Sequence, residues 1–134
     1  MSKRFLLSFV FSFIIFLGIA PSVLATDYYW RGDGSDSNAG TGSAANQAFK
    51  TPAKAGSMTF QAGDTLNFQG GTTFTGRVYI GPTSVGTAAS PIQIRSFGTG
   101  RAIIKNTSDN ALFVYNTSGI YVHDINFEGP GSAY

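Results

Sequence analysis

The chain has 134 residues, of which 43% are hydrophobic and only 12% charged, with 17 glycines, no cysteine and a formal net charge of +2. That length supports a single domain, and the lack of thiols excludes disulfide staples, thiolate metal sites and a cysteine nucleophile. The positive balance carries no nucleic-acid signal, because Lys3 and Arg4 precede an apolar run and the remaining seven bases face seven acids without clustering.

Residues 1–25 have the layout of a secretory signal. Lys3-Arg4 form a basic start, Phe5 to Ala20 is almost wholly apolar, Pro21-Ser22 breaks the run, and Val23-Leu24-Ala25 fits a small-x-small cleavage site. Sixteen residues interrupted by Ser8 and Ser12 are short for a membrane span. The expectation is cleavage after Ala25, a secreted, extracellular or periplasmic product, and no membrane attachment afterwards.

Asp27 to Trp30 reads as a short aromatic strand, and Arg31 to Ser43 as a loop of turn residues whose Asp and Asn side chains bond the local backbone. Asp33, Asp36 and Asn38 are also closely spaced oxygen ligands that suit Ca²⁺, although the glutamate that closes an EF-hand loop is missing. The Arg31-Gly32-Asp33 triplet matches an adhesion motif short enough to recur by chance. In Gln47 to Phe60, Pro52 after Thr51 predicts a short helix over about Pro52 to Ala55, with Gly56 limiting it. Phe49, Ala53, Met58 and Phe60 are its expected apolar side, a lid on a core.

From Ala62 onward short apolar-x-apolar triplets recur, at Leu66/Phe68, Val78/Ile80, Ile92/Ile94, Ala102/Ile104, Leu112/Val114, Ile120/Val122 and Ile125/Phe127. Period-two alternation puts each pair on one face of a strand. Asn116 to Gly119 permits a hairpin, whereas His123-Asp124 looks like a corner in a chain that keeps winding one way. Three repeating faces absorb the seven triplets, with the strands near 66, 103 and 125 on one, those near 78 and 112 on a second, and those near 92 and 120 on a third. The predicted class is all-β, a right-handed parallel β-helix of somewhat more than two turns with a short N-terminal capping helix.

Alternation turns Tyr121, His123, Asn126 and Glu128 outward, with Asp124 at the corner. An aromatic ring beside a histidine and two carboxylates suits sugar stacking and acid–base work, and it equally suits an ordinary solvated surface. Arg77, Arg95 and Arg101 are scattered and read as structural. Asn106 and Asn116 head N-x-Ser/Thr sequons, which matter only in a eukaryotic source.

Gly34 to Thr41, Ala48 to Ala55 and Ala62 to Phe74 resemble the N-terminal cap of pectate-lyase-like right-handed β-helix proteins, and Ser90 to Gly98 and Val122 to Gly129 resemble their first coils. The resemblance covers nearly the whole mature chain, in order. It implies a secreted protein acting on acidic polysaccharide, most often a lyase, with Ca²⁺ as the cation that neutralises the uronate carboxylate in the full-length protein. It implies no catalytic residue here, since the family's catalytic groups lie on later coils. The alternative is a non-catalytic extracellular β-helix that binds glycans or mediates adhesion. The resulting layout is signal 1–25, strand, loop and cap 26–61, and opening coils 62–134. After Phe127 only seven residues follow, so the C-terminal end of the stack is expected to be uncapped. That leaves two expectations, an N-terminal piece of a longer protein or end-to-end pairing with a second copy, and the chain by itself is expected to be inactive.

Overall fold

The computed structural model describes residues 24–131, so the signal segment up to Val23 lies outside the described residues. Strands are β1 (Asp27–Trp30), β2 (Thr65–Gln69), β3 (Thr73–Thr75), β4 (Val78–Ile80), β5 (Ile92–Phe97), β6 (Ala102–Lys105), β7 (Leu112–Val114), β8 (Ile120–Val122) and β9 (Ile125–Glu128). The helical segment among them is a 3₁₀ helix over Pro52–Ser57. Among the described residues no helix is long and apolar enough to cross a membrane.

The strands form three sheets, ordered β1-β2-β5-β8, β3-β6-β9 and β4-β7, and every pairing is parallel. From β2 onward the chain visits the first, second and third sheets in strict rotation. The protein is therefore all-β, with parallel sheets and almost no helix. Because β7 and β8 belong to different sheets, the Asn116 to Gly119 turn is a corner and the hairpin alternative is excluded. Asn116 (φ 48°), Gly119 (φ 66°) and Asp124 (φ 51°) turn these corners in the left-handed region.

One of the three faces inferred from the sequence, that of Val78 and Leu112, matches a sheet as it stands, and the other two need correction. The strand at Leu66 pairs with β5 and not with the strands near 103 and 125. The place assigned to it belongs to β3, Thr73-Phe74-Thr75, whose single apolar residue leaves no apolar-x-apolar signature. With that change the first sheet has an even period. Thr65, Gln93 and Tyr121 are register partners at intervals of 28 residues.

Inward side chains build one core, with Trp30, Phe60, Leu66, Phe68, Val78, Ile80, Ile92, Ile94 and Ile104 essentially unexposed. Burying each of these contributes on the order of 2 kcal/mol. Trp30 stacks on Phe68 with 4.7 Å between ring centres, and Phe68 meets Phe74 edge-on at 5.4 Å. The 3₁₀ helix packs against β4. Its buried positions are Pro52 and Ala55, flanked by Phe49 and Phe60, whereas Ala53 is exposed and Met58 only partly covered. Thr51 does not cap it through its side chain, because the Thr51 hydroxyl donates to Asp36 instead. The outermost rungs are less covered. Val114 and Val122 are 38% and 37% exposed, although they stand in register with the buried Ile80 and Ile94.

Candidate functional site

The outward face of the first sheet carries a continuous row of polar side chains, because the residues that alternate with Leu66, Phe68, Ile92, Ile94, Ile120 and Val122 are mostly polar. One row runs Asp27, Thr65, Gln93, Tyr121 across the four strands. The next runs Tyr29, Asn67, Arg95. His123 continues it, since its backbone N–H donates to the Ile94 carbonyl at 3.1 Å.

Tyr121, 54% exposed, stacks on His123 with ring centres 4.8 Å apart and planes 28° apart. His123 Nδ1 lies 3.0 Å from Asp124 Oδ2, and Nε2 lies 3.3 Å from the Gln93 side-chain oxygen Oε1. An ionised carboxylate and an amide oxygen both only accept, so each ring nitrogen of His123 faces an acceptor. The hydrogen bond from His123 holds the Asp124 carboxyl below its ordinary range, with Arg101, 3.5 Å away, acting in the same sense. Ser96 fixes the corner by donating to the Asp124 carbonyl at 2.6 Å and accepting from the Ala102 amide at 2.8 Å.

Of the four outward residues expected to act together, Tyr121 and His123 are in contact. Asn126 and Glu128 lie on β9, in the second sheet, beyond the Asp124 corner, and Glu128 pairs with Lys105 at 3.3 Å. The oxygen-rich loop is tied to the Arg31 side chain and to the segment that follows it. Asp33 takes two bonds from Arg31, at 2.8 and 3.2 Å. Asp36 accepts from the Lys50 and Thr51 amides and the Thr51 hydroxyl. The Asn38 amide donates to the Ala45 and Ala48 carbonyls. No group of three or more His, Asp or Glu among the described residues is arranged to hold a metal ion. A notch of about 220 Å³ lined by Lys50, Thr51, Thr73 and Thr75 lies towards the second sheet and includes none of the outward residues above.

Two members of the polar face, Gln93 and Asn67, escape a reading of the sequence alone, and Arg95 reads there as structural. Their signal is the interval of 28 residues linking Asn67, Arg95 and His123, which becomes visible only when Leu66 is placed on the correct face. No family model matches the chain, and no curated protein matches it.

Proposed function

We propose that this is a secreted protein whose rotating strands wind as a right-handed parallel β-helix, and whose first-sheet outer face holds an acidic polysaccharide. The 3₁₀ helix and the loop before it act as the N-terminal cap. The observation that carries the reading is the exposed Tyr121 ring stacked on His123, beside Gln93 and Arg95 on the first sheet's outer face and Asp124 at its corner. A ring face for CH contacts next to a basic side chain suits a uronate-containing chain. The resemblance makes a lyase the reaction class. In such a reaction the proton next to the uronate carboxylate is removed and the sugar oxygen on the adjacent carbon leaves as a double bond forms. His123, oriented by Asp124, is suited to carry a proton on this face.

A non-catalytic glycan-binding protein is the second reading. It is favoured by another outward aromatic group, Tyr79, Phe113 and Tyr115, whose ring centres follow one another at 5.7 and 6.1 Å on the third sheet's side. Affinity electrophoresis through gels containing polygalacturonate, alginate or neutral dextran tests both readings. The two acidic polymers should retard the protein, and Tyr121→Ala should weaken that retardation by about threefold to tenfold. Absence of retardation by either acidic polymer would overturn the proposal. Release of unsaturated sugar ends, measured with and without added Ca²⁺, would favour the lyase reading over the binder and overturn the expectation that this chain by itself is inactive.

A further inference from the structure

Arg95 differs from the other described arginines. Arg31 pairs with Asp33, Arg77 with Asp109 and Arg101 with Asp124, whereas among the described residues Arg95 has no carboxylate oxygen within 4.0 Å. Its one side-chain bond there runs from Nε to Asn67 Oδ1, at 2.9 Å. Asn67 is 1% exposed, and its NH₂ group donates to the Tyr28 carbonyl at 3.2 Å and to Asp27 Oδ1 at 3.4 Å. The Asn67 carbonyl is thus the end left to meet Arg95, so a buried neutral amide fixes the guanidinium plane from behind. No buried side-chain nitrogen or oxygen among the described residues lacks a partner, so the two terminal nitrogens of Arg95, which make no bond there, reach the surface. They form the planar two-nitrogen edge that matches a carboxylate. Tyr121 stands one strand across and one outward position along, about 8 Å away on the pleat.

We propose that Arg95 is a carboxylate-binding site, gripping the acid group of one sugar residue through both terminal nitrogens while Tyr121 stacks against the chain. This deepens the polysaccharide reading and rests on it. The test titrates the protein with a uronic-acid tetrasaccharide and with the same tetrasaccharide after reduction of its carboxyl groups to alcohols, following the Arg95 Nε–H and Tyr121 ring signals by NMR. The acidic oligomer should move the Arg95 signal and bind at least about tenfold more tightly than the neutral one. Arg95→Gln should abolish that preference without weakening the neutral oligomer, Arg95→Lys should keep part of it, and Lys105→Gln on the second sheet should keep it whole. A residue that merely tied β5 to β2 would leave the acid-to-neutral ratio unmoved. Binding of both oligomers at Tyr121 with the Arg95 signal still would overturn this site alone, and binding of neither would overturn the polysaccharide reading and this site with it. If Arg95→Gln does not fold, the shift in the unaltered protein decides.

A separate observation concerns the start of the ordered chain. Asp64 is 3% exposed, accepts from the Thr26 and Gln61 amides at 2.8 Å each, and is paired with no Lys or Arg among the described residues. Thr26 directly follows Ala25, where the sequence predicts cleavage. Hydrolysis there by a signal-peptidase-class enzyme places the hydroxyl of water on the Ala25 carbonyl and leaves the Thr26 nitrogen as an amine, which takes up a proton at neutral pH. We infer that processing completes an ion pair between the Thr26 α-ammonium and buried Asp64 that the precursor lacks. A chain beginning at Thr26 should have a folding equilibrium constant about tenfold above one carrying Gly-Ala ahead of it. The gain should vanish with Asp64→Asn. The ammonium gains a partner on folding, so its contribution is complete below the ordinary α-amino value of about 8 and is lost as pH rises through the higher folded value. Equal stability of the two chains at neutral pH would overturn the inference. If Asp64→Asn does not fold, loss of the difference at high pH stands in its place.

Discussion

At the scale of single residues, Asp36 shows how a side chain suited to a metal becomes a structural cap. Burial alone would push its carboxyl up, but hydrogen bonds from the Thr51 hydroxyl and from the Thr51 and Lys50 amides outweigh this and hold it below the usual carboxylate range. A depressed folded value means that the stability Asp36 contributes is complete above the unfolded carboxylate range. That stability is lost as pH falls below about 4, through the folded value. Asp36→Ala should cost about 2–3 kcal/mol at neutral pH, since charge-assisted hydrogen bonds to two amides and a hydroxyl are removed together. In urea titrations the gap between the variant and the unaltered protein should close as the pH is taken down into the acid range; a gap that stays constant would mean that charge plays no part. The sequence announces an oxygen-rich loop at Asp33, Asp36 and Asn38. It does not announce that the groups those oxygens meet arrive from Lys50 and Thr51, because such partners are set by how the loop folds back.

At the scale of elements, the strands share one pattern and differ in cover. Ile94 of β5 and Val122 of β8 are register partners on the same inward rung, yet Ile94 is unexposed while Val122 is 37% exposed. Ile94→Ala should therefore cost about 2–5 kcal/mol, and Val122→Ala less than about half of that, because the rim site leaves little cavity behind. Thermal or urea unfolding of the two variants checks the order, and equal costs would mean that β8 is covered as deeply as β5. Hydrogen exchange should follow the same gradient, slowest in β2 and β5, which have a partner on both sides, and fastest in β7, β8 and β9. The triplets at Val78, Ile92, Ala102, Leu112, Ile120 and Ile125 were legible because two apolar residues flank one other. Strand β3 was not, since Thr73 and Thr75 present only Phe74 to the core. The short helix was legible from Pro52, but its buried side was not, because a 3₁₀ helix advances three residues per turn and brings Pro52 and Ala55 onto one edge.

At the scale of the whole molecule, one omission altered the reading of function. Missing β3 placed Leu66 on the wrong face, and that hid the alignment of Asn67 and Arg95 with His123. The outward residues Tyr121, His123, Asn126 and Glu128 looked like one group because they are close in sequence, yet the left-handed Asp124 corner divides them between two sheets. Local composition and alternation by themselves determined that the chain is all-β, built from short strands joined by glycine- and asparagine-rich corners, with its apolar pairs inside. They do so because side-chain direction along a strand has a period of two whatever lies next to it. Only the tertiary structure decided which strands are neighbours, which carboxylates are occupied by backbone amides, and which described arginine meets an amide oxygen in place of a carboxylate. Those are matters of register and packing between segments distant in sequence, and register is set by how the whole core packs.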